Sequence, residues 1–174
     1  MKSALFSAAV AAIALTGAAW AQEGSDSVAT LENWSVFVES NPKECWVAAQ
    51  PKETVNTRGG QSVEVRRGQI LLFVRWRPDK DVAAEVSFTG GYPFATDRPV
   101  SLSVGGKDYE LPKVQDEWAW ATDGSADAAI VAALKAGVDA VVTGRSERGT
   151  TTKDTFSLIG FTAATEEAAK RCAS

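Results

Sequence analysis

From Trp34 onward, apolar side chains return at every second residue, the spacing of strands with one buried face. Trp34, Val36 and Val38 alternate with Ser35, Phe37 and Glu39. After a turn at Asn41-Pro42, Cys45, Val47 and Ala49 alternate with Trp46 and Ala48. Residues 51–60 are polar and read as a loop. Val63 and Val65, set among Ser62, Glu64 and Arg66, predict a further strand that turns at Arg67-Gly68. Residues 70–76 are apolar on both faces, as in a central strand, and Val82, Ala84, Val86 and Phe88 form the next. Gly105-Gly106, between alternating runs at 101–104 and 107–111, is the clearest hairpin signal. Two glycines supply the positive φ angles of a primed two-residue turn. Trp118 and Trp120 follow with Ala119 between them, and 138–144 with 151–158 predict a late hairpin through Glu147-Arg148-Gly149.

Two segments break this period. Ser125 can cap a helix over 126–136, with an apolar stripe of Ile130, Val131 and Leu134 and a stop at Gly137. A second helix is predicted over 162–172, with Glu166 and Glu167 early and Lys170 and Arg171 late, which suits the helix dipole. With about eight to ten short strands, the pattern predicts a mainly β fold. It reads as a single-domain antiparallel β-sandwich or partly open barrel with two peripheral α-helices.

The N-terminus has a different character. Lys2 precedes an apolar run at 4–15, Thr16-Gly17 breaks it, and Ala19-Trp20-Ala21 has the small-x-small form of a cleavage site. A membrane anchor needs about 20 clean apolar residues, more than this run supplies. Residues 1–21 therefore read as a signal peptide cut near Ala21, residues 22–30 as a flexible lead, and residues 31–174 as the β domain. No transmembrane segment is predicted, and a periplasmic or secreted location is expected.

Composition narrows the chemistry. The chain has no histidine, which removes Ser-His-Asp and Cys-His nucleophile systems and imidazole zinc sites. Its formal charge is -4, and loss of Lys2 with the leader makes it more negative, which argues against nucleic acid or an anionic membrane surface as the main partner. Cys45 and Cys172 form an even pair in a chain marked for export, so a disulfide is expected, with two buried free thiols as the alternative. Asp116, Glu117, Asp123 and Asp127 gather near the first helix without the spacing of a calcium loop, so no metal is expected. Neither a Gly-x-Ser-x-Gly elbow nor a phosphate loop occurs, and no catalytic residue or cofactor is assigned.

Candidate contact residues are aromatic. Strand parity puts Trp34, Trp118 and Trp120 in the core, whereas Trp46 alternates against Cys45 and Val47 and can lie on the opposite face. Tyr92-Pro93-Phe94 follows Gly90-Gly91 in a loop that either displays two rings to a partner or tucks them under one end of the fold. Trp46, Tyr92 and Phe94 thus form the candidate interaction surface. Arg66, Arg67, Arg75 and Arg77 fall on neighbouring predicted strands; they suit an anionic ligand or, more simply, a solvated face paired with Glu64, Asp79 and Asp81.

Two stretches resemble the invasion-associated locus B family of bacterial exported proteins: Glu32-Asn33-Trp34-Ser35-Val36 with the following Cys45, and Ser157-Leu158-Ile159-Gly160-Phe161-Thr162-Ala163-Ala164 with the closing Cys172. The resemblance implies a periplasmic or envelope-associated all-β domain with a linking disulfide, from a family whose named members are connected with host-cell invasion. The expected function is a non-catalytic binding or structural protein with a protein or envelope-component partner. The alternative is a periplasmic hydrolase or transferase using carboxylates or a Ser-Lys pair.

Overall fold

The alternating segments pair into two open antiparallel sheets in the computed structural model, which describes residues 27–173. The signal peptide expected at 1–21 and most of the lead lie outside the described residues. In chain order the first strands are β1 (Ala29–Leu31), β2 (Trp34–Ser40), β3 (Lys43–Ala49), β4 (Glu53–Arg58), β5 (Gln61–Ser62) and β6 (Leu71–Arg77). A 3-10 turn leads to β7 (Val82–Thr89), then β8 (Val100–Val104), β9 (Lys107–Leu111), β10 (Lys113–Gln115) and β11 (Trp118–Trp120). Helix α1 (Gly124–Ala136), β12 (Asp139–Arg145), β13 (Thr151–Ser157) and α2 (Phe161–Ala173) complete the fold. One sheet runs β1-β2-β3-β6-β7-β11-β10 and the other β5-β4-β13-β12-β8-β9.

The core follows from the parity of the strands. Trp34, Val36, Cys45, Val47, Leu72, Val74, Val86, Phe88 and Ala119 turn inward from the first sheet. Leu102, Val104, Ala140, Val142 and Phe156 do so from the second. Phe88 meets Phe156 edge-on at 6.2 Å, so the two inner faces interdigitate at that end. Helix α2 covers another part of the first sheet's inner face. It buries Phe161, Ala164, Thr165, Ala168 and Cys172, a single helical stripe. Phe161 lies 4.7 Å from Trp34, whose indole N–H donates to the Ser157 carbonyl at 3.0 Å. Cys172 closes the joint through a disulfide to Cys45 on β3, with Cα atoms 5.8 Å apart.

Several local expectations are corrected. The polar stretch at 51–60 supplies β4, because β13 offers it a hydrogen-bonding edge from Thr151 to Thr155. Residues 63–65 form no strand; their alternation is that of a connector crossing from β5 to β6. Helix α1 is capped two residues earlier than Ser125: Asp123 accepts from the N–H groups of Ser125 and Ala126 at 2.9 and 3.0 Å. The lead ends in β1, which pairs with β2. The Gly105-Gly106 hairpin forms, with φ of 57° and 81°.

Reduction should lower stability by about 2–5 kcal/mol, since the disulfide closes a loop with a sequence separation of 127 residues. Urea unfolding with and without reductant measures this; coincident curves would show that α2 holds its place without the bond.

Candidate functional site

The outward positions of the first sheet carry rings where a solvated sheet face usually carries polar side chains. Phe37 on β2 and Trp46 on β3 are register partners, stacked with centroids 5.2 Å and planes 7° apart. Phe73 on β6 tilts against Trp118 at 5.4 Å, and Trp118 stacks on Trp120 at 6.1 Å. All five rings are half-buried. Between Trp46 and the Phe73-Trp118-Trp120 group runs a groove of about 390 Å³, with Arg75 and Ser87 beneath it and Glu39 and Glu44 along its side.

Trp118 and Trp120 are the residues that sequence reasoning misplaced. β11 has one inward position, and Ala119 takes it opposite Phe88, so both flanking indoles face outward. The available signal was the pattern Trp-Ala-Trp itself, in which a buried strand centre can be small when the opposite ring is large. Trp34 is fully buried, as its parity predicts. Trp46 stands on the outer face.

Charged groups fix the floor of this groove. Arg75 donates to Glu44 at 3.0 Å and to Glu85 at 2.9 Å, and Arg77 reaches the same Glu85 at 3.2 Å. Arg75 and Trp120 also border a wider recess of about 880 Å³ that extends to Lys113 and the start of α1. There the Asp127 carboxylate accepts the Val86 N–H at 2.8 Å, replacing the strand partner that β7 lacks beyond the end of β11. Burial pushes the Asp127 carboxyl up from its ordinary range, and the Val86 hydrogen bond opposes that shift.

The other two candidate rings lie elsewhere. Phe94 is 2% exposed and packs against Phe88 at 5.9 Å, so it closes an end of the core and offers no surface to a partner. Tyr92 is half-buried, with its hydroxyl 2.6 Å from Thr152 Oγ1 and the Arg67 guanidinium 5.1 Å above its ring. Burial raises its pKa to about 12, so the phenol stays neutral at physiological pH. The structure thus separates Trp46 from Tyr92 and Phe94.

It also separates the four arginines. Because 63–70 is a connector, Arg66 and Arg67 do not continue the sheet face of Arg75 and Arg77. Arg67 grips Asp154 through two hydrogen bonds of 2.7 and 2.6 Å, at side-chain exposures of 6% and 0%. The partners expected for this group, Glu64, Asp79 and Asp81, form none of these ion pairs. Among the described residues no cluster of acidic or cysteine side chains converges as a metal site.

Two outcomes follow from these placements. Phe94→Ala should cost about 3–5 kcal/mol on urea unfolding, whereas Trp46→Ala should cost clearly less; equal costs would contradict their assigned positions. A raised folded-state pKa makes the Asp127 contribution to stability full below the unfolded value and lost as pH rises through the folded one. Asp127→Asn should remove that decline from about pH 4 upward. Parallel stability profiles for the two proteins would show that this carboxyl is not perturbed.

The family model described as Invasion associated locus B protein matches residues 34–169, from the first residue of β2 into α2. A crystal structure of invasion associated protein B from Bartonella henselae is similar with a TM-score of 0.54 at 18% identity. The similarity covers 84% of this chain and 98% of that one, and at such identity it establishes a common fold. No curated protein matches the chain. The span of the family match carries Cys45 and the strands of the aromatic face and ends three residues before Cys172, and the chain belongs to the Invasion associated locus B family.

Proposed function

We propose that this protein is an exported, non-catalytic binding protein that holds a saccharide chain in the groove between Trp46 and the Trp118-Trp120 pair. The single observation that carries the reading is the set of five half-buried rings on the outer face of one sheet. Keeping indoles at a water boundary forgoes part of their burial energy, and contiguous surface of this kind marks contact sites. Aromatic walls suit the C–H faces of sugar rings, and between them the groove sets a donor, Arg75, beside an acceptor, Glu44. Hydroxyl groups both donate and accept, so they match that pair. A peptide fits less well, because the inner strands β3, β6 and β7 have partners on both sides and offer few free backbone groups. The carboxylates of Glu39 and Glu44 select against anionic sugars.

Absence of catalysis is supported by the lack of histidine and by the engagement of Glu44 and Glu85 with arginine. A disulfide joining distant parts of the chain is the habit of oxidising compartments, which supports export. On a panel of immobilised neutral oligosaccharides, the protein should retain at least one. Trp46→Ala and Trp120→Ala should each weaken that binding about tenfold or more while leaving the fold intact. The bound sugar should be recovered uncleaved. Failure of every saccharide, or equal binding by both variants, would overturn the assignment of this groove.

A further inference from the structure

A third recess, away from the aromatic groove, has a different chemistry. It measures about 490 Å³ and is bordered by Arg58, Arg66, Arg67 and Arg148, with Tyr92 and Thr150 among its walls. Arg67 is neutralised by Asp154. Arg58, Arg66 and Arg148 form no ion pair among the described residues, and Glu147 is the one carboxylate bordering the space. The recess therefore holds an excess of two positive charges in a chain whose formal charge is -4. Gathering like charges in a concave surface raises their mutual repulsion unless an anion joins them.

The surroundings are built to hold such an anion. Arg58 is fixed by two donations, from Nε at 3.3 Å and Nη2 at 2.8 Å, both to Thr150 Oγ1. That leaves the hydroxyl proton of Thr150 to donate elsewhere. Ser146 Oγ accepts the Thr150 N–H at 3.1 Å, and its own proton is likewise available. Tyr92 and the buried Arg67-Asp154 pair make a rigid back wall. The wall is seated by a close approach of two glycines: Gly68 N–H donates to the Gly91 carbonyl at 2.9 Å, and a Cβ on Gly91 would stand 2.6 Å from Gly68 N. A larger residue at Gly91 would push the Arg67 connector away from Tyr92.

We infer that this recess binds a phosphate group, held by Arg58, Arg66 and Arg148 with hydroxyl donation from Ser146 and Thr150. A phosphate or phosphate monoester carries about -1.5 to -2 charge near neutral pH, which matches the excess in the recess. Its terminal oxygens exceed what a single carboxylate could offer to three guanidiniums, whose planar forks suit phosphate geometry. The group can belong to a soluble phosphate or to a lipid headgroup at an envelope surface.

Titration of the full exported chain distinguishes these sources. One arm uses inorganic phosphate followed by calorimetry. The other uses phosphatidylcholine vesicles with and without phosphatidic acid, followed by co-sedimentation. Binding of inorganic phosphate assigns a soluble ligand, and binding confined to vesicles containing phosphatidic acid assigns the headgroup. In either arm, Arg66→Gln with Arg148→Gln should weaken binding about tenfold or more. The charge-matched control Lys135→Gln with Lys170→Gln, at exposed helix positions outside the recess, should leave binding within about twofold. No binding in either arm, or equal losses in the two double variants, would overturn the inference. Saccharide binding in the aromatic groove should be unchanged by the Arg66/Arg148 variant, so failure of one site is distinguishable from failure of the other.

Discussion

The joint between α2 and the first sheet decides which surfaces this protein can offer. Trp34, Phe161 and the Cys45–Cys172 bond hold the helix against the inner side of β2 and β3. The remaining inner surface meets the second sheet through Phe88 and Phe156. With helix and sheet sharing one side, the opposite side of the same strands stays open to solvent.

The aromatic groove and the basic recess arise in different ways. The groove depends on regular pairing: Phe37 and Trp46 meet because β2 and β3 are in register, and Trp118 and Trp120 join them because β11 continues the sheet beside β7. The basic recess depends on irregular chain. Its arginines come from the end of β4, from the connector after β5 and from the turn between β12 and β13. Regular pairing gives a long, rigid face suited to an extended ligand. Loops converging at one end give a concave site suited to a compact charged group.

Much of the architecture is legible in the alternation of residues. The strands around Trp34, Cys45, Val74, Val86 and Leu102 each have several inward positions, so parity identifies their buried side with little ambiguity. Parity fails where a strand is too short to show it, as at Trp118-Ala119-Trp120, and the misplacement of those indoles hid half of the aromatic groove. It also fails in a connector such as 63–65, whose alternation resembles a strand although its backbone forms no ladder beyond the Val63 N–H bond to the Asn56 carbonyl. The polarity of Glu53–Arg58 concealed an outer strand that gains its stability from β13. The Arg67-Asp154 pair joins residues far apart in sequence and depends on chain crossings that local pattern does not encode. Trp46 was identifiable because its neighbours Cys45 and Val47 are unambiguously buried.

Hydroxyl-radical labelling of the individual indoles, with mass-spectrometric readout, addresses the open aromatic face directly. The account predicts modification of Trp46, Trp118 and Trp120 in the free protein, protection of Trp34, and loss of labelling at the first three when a retained oligosaccharide is added. Protection of all four indoles in the free protein, or labelling at the three outer rings that ignores the bound sugar, would contradict it.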